Sequence, residues 1–171
     1  VMKQGIMRVV LGFLVLTGCS IFRGPASAGE RSGAGSGGAG AGRTSPAGNR
    51  VVETGKRLSF DEKRIFRGSC WDFVTGVYQA AGYPEGKRQV VFRREGNGSY
   101  ADPGILEPGD WVLHYNLEFG NVDHSSIFID WIDRERALAR TLDHVGMNRP
   151  EPGRYREHRM TKIFMIMRAR D

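Results

Sequence analysis

The run GPASAGERSGAGSGGAGAGRTSPAGN, from Gly24 to Asn49, limits what this chain can fold into. Gly, Ala and Ser dominate it, and it holds no large apolar residue. Such a stretch cannot bury enough surface to offset the conformational entropy lost on folding. It reads as a flexible tether with a mean reach of roughly 25–30 Å. The large aromatic clusters all follow it, in about 120 residues, enough for one compact core.

The residues before the tether have a different character. Lys3 and Arg8 form a short basic region. VVLGFLVL, Val9 to Leu16, is an apolar run of signal-peptide length, too short for a stable membrane span. LTGC follows at Leu16 to Cys19. This order resembles the bacterial lipobox, which implies cleavage before Cys19 and lipidation of its thiol. Acyl chains there would hold the protein to a membrane, each buried CH₂ contributing about 0.8 kcal/mol. Ser20 rather than Asp after the cysteine implies, by analogy with two-membrane bacteria, the outer membrane facing the periplasm. The expected organisation is a lipoprotein signal peptide over 1–18, a lipidated cysteine and tether over 19–49, and one domain over 50–171. The net charge of +6 suits a polyanionic neighbour such as the cell envelope. The basic residues are scattered and the chain carries an export signal, so nucleic acid is not an expected partner.

Within the domain, LSFDEKRIF reads as a short first helix, with Ser59 and Glu62 as its capping box. A second helix starts at Cys70: Ser69 is the cap and Asp72 takes the capping-box position. Cys70, Trp71, Val74, Val77, Tyr78 and Ala81 make one helical stripe, which Gly82 and Pro84 end. Gly76 inside it marks a close approach of another element. KRQVVFRR reads as a strand with Val90, Val91 and Phe92 as its core. The Pro-Gly-Asp turn at Pro108 to Asp110 leads into a strand from Trp111 to Tyr115. Further strands are expected at His124 to Ile132, in ALARTLDHV and in TKIFMIMR. EPGRYREHR between the last two reads as a basic loop. Helices followed by an antiparallel meander make an α+β domain, with the sheet against the Cys70 helix.

Cys70 has no expected disulfide partner once Cys19 is committed to the lipobox, so it is an unpaired thiol in an exported protein. At the first turn of a helix it meets free N–H groups and a partial positive charge, which favour a thiolate. The same N–H groups suit an oxyanion. A small buried core residue is the alternative. A nucleophilic cysteine needs a base. His114, within a strand, reads as a packed or edge residue, and His158 as a solvated loop residue. His124 opens a strand, where a base can project over a helix end. Asp143 and His144 follow on the next strand; as neighbours they point to opposite faces, so only one can join the site. Trp71 and Tyr100 are candidates for a substrate groove, with core packing the competing role for Trp71.

Taken in order, SCWDFVTGVYQAAG, ILEPGDWVLHY, DHSSIFIDW and TLD resemble the NlpC-type and CHAP-type cysteine peptidases and amidases of bacterial cell walls. The resemblance runs from Leu58 to Arg168. It implies a small papain-like fold, with the Cys-bearing helix packed on an antiparallel sheet. It implies Cys70 as nucleophile, His124 as general base and acid, and a third residue that orients His124. TLD favours Asp143 in that place; the NlpC-type pattern would choose His144. The implied reaction is cleavage of peptide or amide bonds in peptidoglycan by a monomer that needs no cofactor. Ser125 and Ser126 replace the usual small apolar residue and glycine, and Ser69 replaces the aspartate that precedes the NlpC-type cysteine. These departures bear on the substrate. The rival readings are an acyl hydrolase or transferase acting on lipids or esters, and a non-catalytic envelope module. A metal site from Cys70, His124 and Asp143 finds no short-spaced ligand pair to support it.

Overall fold

The computed structural model describes residues 44–116 and 120–171. The expected signal peptide, Cys19 and the tether as far as Arg43 lie outside the described residues. No helix among the described residues is long and apolar enough to cross a membrane.

The described chain opens with helix α1, Pro46–Lys56, which runs on through a π-helical turn, Arg57–Asp61. Residues 46–49, expected to belong to the tether, are helical. Ser45 caps α1 by accepting from Gly48 N–H, and Pro46 fills the first turn, where its missing N–H costs nothing. Ala47, Gly48, Val51 and Val52 are buried. The short helix expected around Ser59 is not there: Ser59 sits buried in the π-helical turn and caps nothing.

Helix α2, Cys70–Ala80, has the expected start. Ser69 Oγ accepts from Asp72 N–H, and Asp72 Oδ2 accepts from Ser69 N–H at 2.7 Å. Its buried face is Phe73, Val74, Val77 and Tyr78. Trp71 is not part of that face: it is 44% exposed, with its ring tilted against Trp111 at 4.5 Å between centroids. The close approach at Gly76 is to Phe66, whose ring would lie 3.1 Å from an added Cβ.

Six antiparallel strands follow: β1 Arg88–Arg93, β2 Trp111–Asn116, β3 Val122–Asp133, β4 Leu138–Asp143, β5 Arg154–Arg159 and β6 Ile163–Ala169. Their order in the sheet is β1-β6-β2-β3-β4-β5. Strands β2 to β5 form a meander, but β6, expected to continue it, crosses back to insert between β1 and β2. The fold is α+β, with α2 packed on the sheet as expected. Two strand assignments change. EPGRYREHR is largely strand β5, paired residue for residue with β4, and not a loop. Strand β1 is an edge strand, so Val90 is 45% exposed and not a core residue.

Alternation along the strands gives the sheet two cores. Trp111, Leu113, Ile127 and Leu142 face α1 and α2. Val112, Phe128, Ala139 and Ile163 face the other way and form a second cluster with Leu106 and Met160. The Pro-Gly-Asp turn ties these layers together. Tyr78 of α2 donates its hydroxyl to Gly109 O at 2.6 Å. Asp110 is fully buried and takes a two-pronged ion pair from Arg168 of β6, at 2.7 and 2.8 Å. Gly48 of α1 lies against Gly109, so close that a Cβ on Gly109 would sit 2.5 Å from Gly48 Cα.

Gly109 also has φ +93°, so a side chain there is strained as well as crowded. Gly109→Ala is expected to cost about 2–4 kcal/mol of stability, read as a lower thermal midpoint. A chain starting at Arg50, which lacks the first turn of α1, should melt lower than one starting at Thr44.

Candidate active site

The site forms where the first turn of α2 meets the start of β3 and the end of β4. Ser69 fixes the helix start, so Cys70 is the first helical residue. Its Sγ receives a hydrogen bond from Ser125 N–H at 3.4 Å. His124, one residue earlier on β3, turns its imidazole to the same thiol. Gly146, after β4, has φ +73° and lies so close over the helix start that an added Cβ would be 3.1 Å from Cys70 N. A glycine there leaves the helix end open to the cleft.

His124 Nε2 is 2.8 Å from Asp143 Oδ2. Since Nε2 faces Asp143, the ring nitrogen left for the thiol is Nδ1. Cys70, His124 and Asp143 thus stand in line as thiol, imidazole and carboxylate. His144 does not join them. It turns to the opposite face of β4, is fully buried beside Phe73, and accepts from Gly146 N–H on Nδ1.

One further residue reaches the line. His158 Nε2 lies 2.7 Å from the same Asp143 oxygen. The residue expected in a solvated loop is 3% exposed and shares that oxygen with His124. The β4–β5 register sets Arg154 opposite Asp143 and His158 opposite Ala139, so His158 reaches Asp143 along the diagonal of the face. The sequence does contain the signal: in RYREHR the period of two puts Arg154, Arg156 and His158 on one face. His114 sits directly opposite His124 in the β2–β3 pairing and is buried, as expected of a packed strand residue.

The electrostatics follow from this arrangement. Burial disfavours charge on Asp143, but the hydrogen bonds from His124 and His158 outweigh it and hold the carboxyl below its ordinary range. An ionised carboxylate can only accept, so both Nε2 atoms are the donors. Burial likewise opposes charge on His124. Its bonds to Asp143 and Cys70 prevail and push its pKa up to about 9. Burial raises the Cys70 thiol, and the bond from His124, its charge and the N–H groups of Ser125 and Trp71 together bring it below the ordinary thiol value. The pair is therefore biased toward thiolate and imidazolium, each charge favouring the other. Burial, with the neighbouring His158 and His124, pushes His114 down to about 3, so this third ring is neutral.

The thiol opens into a cleft of about 460 Å³. His124, Asp143 and His158 line it, with Arg154 and Arg156 on one wall. Val122 and Met147 also line it and are 61% and 76% exposed. Neither Trp71 nor Tyr100 lines it: Tyr100 packs on Tyr115 and under Arg94 instead.

No protein-family model and no curated protein matches the chain. Among solved structures it is similar to the crystal structure of a wild-type endolysin, LysIME-EF1, with a TM-score of 0.45 and 15% identity. The match covers 71% of this chain and 63% of the endolysin chain, less than two thirds of the latter's length.

The lowered thiol pKa gives a direct check. Iodoacetamide labelling of Cys70, followed against pH in chelator-treated buffer, should have its midpoint below the ordinary thiol value of about 8.5. Asp143→Asn removes the charge that sustains the imidazolium and should move that midpoint upward. A wild-type midpoint at or above the ordinary value contradicts the thiolate–imidazolium pair.

Proposed function

We propose that the protein is a cell-envelope cysteine hydrolase that cuts peptide or amide bonds in peptidoglycan through an acyl-enzyme on Cys70. One observation carries the reading: Cys70, His124 and Asp143 stand in line, with His124 hydrogen-bonded to Asp143, at a helix N-terminus that opens into a cleft. The NlpC-type and CHAP-type resemblance of the motifs, the lipobox at Cys19 and the tether supply the cell-wall substrate, the membrane anchor and the periplasmic location.

In this mechanism the Cys70 thiolate adds to the carbonyl carbon, forming a C–S bond and an oxyanion. The backbone N–H of Cys70, in the first turn of α2, is positioned to stabilise that oxyanion. His124 gives its proton to the amine nitrogen as the C–N bond breaks. Water then adds to the thioester and His124 takes its proton. The second oxyanion collapses with cleavage of the C–S bond, restoring the thiolate–imidazolium pair. Asp143 keeps its charge throughout and fixes the ring so that Nδ1 faces sulfur.

The exposed Val122 and Met147 in the cleft favour a second reading, hydrolysis of an acyl ester. The test is incubation of purified peptidoglycan peptides and of short-chain thioesters or esters with the wild type, Cys70→Ser and His124→Ala. Cleavage of the peptides should fall by at least about 10³-fold in either variant. Peptide cleavage that survives Cys70→Ser removes the mechanism, and cleavage confined to the esters selects the second reading.

A further inference from the structure

The proposed reaction uses His124 and Asp143 but assigns nothing to His158 and His114. These four side chains form one cluster on a single face of the sheet. The ring centroids of His114, His124 and His158 are 5.6, 5.1 and 5.1 Å apart. A ligand atom from each of His124, Asp143 and His158 lies within 4.8 Å of the other two. Both nitrogens of His114 and Oδ1 of Asp143 are buried with no hydrogen-bond partner among the described residues. Each such atom is costly when left unpaired. Three in one cluster, beside two imidazoles already aimed at the same carboxylate, require a compensating partner.

Coordination geometry identifies the class of partner. A zinc-class cation holds an imidazole nitrogen at about 2.0–2.1 Å, which puts each ring centre about 3.2 Å from the ion. Two rings in tetrahedral positions then have centres roughly 5.2 Å apart. His124, Asp143 and His158 already bring their ligand atoms together, and His114, with its ring centre 5.6 and 5.1 Å from those of His124 and His158, is the imidazole beside them for the fourth position. Imidazole and carboxylate together suit a borderline divalent ion such as zinc, and not calcium or magnesium, which take oxygen ligands.

We propose that His114, His124, Asp143 and His158 form a binding site for a zinc-class divalent cation. On binding, the ion takes the place of the two Nε2–H donors that face Asp143 Oδ2: the His124 imidazolium loses its Nε2 proton to solvent, and His158 coordinates as the neutral tautomer protonated at Nδ1. One consequence rests on the hydrolase reading. An imidazole bound to a cation through Nε2 cannot also be an imidazolium, so the ion and the thiolate–imidazolium pair exclude each other, and the bound ion restrains hydrolysis.

The test uses the full chain, stripped with chelator and titrated with Co²⁺, then Zn²⁺. The expected result is one Co²⁺ per chain, with the intense visible bands of a tetrahedral site, displaced stoichiometrically by Zn²⁺. Zn²⁺ should also raise the thermal midpoint. His158→Gln and His114→Gln, checked for folding by circular dichroism, should each weaken Co²⁺ binding at least tenfold, whereas Cys70→Ser should leave stoichiometry and affinity unchanged. Absence of stoichiometric binding by the wild type overturns the site, whatever the variants do. So does a pale octahedral spectrum, undiminished binding in both histidine variants, or a sulfur charge-transfer band that disappears in Cys70→Ser. Because binding is read by absorbance, loss of hydrolysis in Cys70→Ser with cobalt binding intact keeps the two readings apart.

Discussion

A buried carboxylate must be paired, and the way Asp143 is paired organises this end of the molecule. Its Oδ2 receives one imidazole from β3 and another from β5. An ionised oxygen with little access to water is tolerable only while such donors are in place. That requirement couples three strands, because a slip of one residue in either β3–β4 or β4–β5 pairing would turn Asp143 or its partners to the other face. The register that satisfies the charge is the same one that brings His124 to the start of α2. Placement of the thiol's partner and satisfaction of the buried acid are one constraint.

The two faces of the sheet divide the work. The face toward α1 and α2 is an apolar layer, and through Phe73, Val74, Val77 and Tyr78 it fixes where α2 lies. The opposite face carries a smaller apolar cluster and, beyond it, the histidines and Asp143. The site sits where α2 extends past the first layer and reaches the strand carrying the second. His144 illustrates the division: one residue from Asp143, it is fully buried on the helix side beside Phe73 and cannot reach His124.

Much of this was legible in the chain. The cap at Ser69, the apolar spacing of α2, the Pro-Gly-Asp turn and the apolar strands β2, β3 and β6 are local patterns whose physics is local too. The errors fall where a pattern was made by something other than apolar residues. Strand β5 alternates Arg154, Arg156 and His158 against solvent-facing partners, so its inner face looks like a charged loop until β4 and the cleft are beside it. Helix α1 emerges from a Gly-rich run, and the Ser45-Pro46 start was hidden by the composition around it. Trp71 keeps the helical spacing of a core residue, but the helix begins so close to the sheet's margin that its ring lies outside the packed layer. The convergence of His124 and His158 on Asp143 depends on strand register, which no single stretch encodes.

The contact between Gly48 and Gly109 has a mechanical meaning. The chain enters the described fold at the first turn of α1, and that turn lies backbone against backbone on the turn that feeds a central strand. Tension arriving from the N-terminal side is met first by this contact, by the Ser45 cap and by the burial of Ala47 and Val51. Strands β3, β4 and β5 lie on the other side of β2, away from that point of entry. A pull on the chain would therefore peel α1 before it reached the ladder that holds Asp143 and His124.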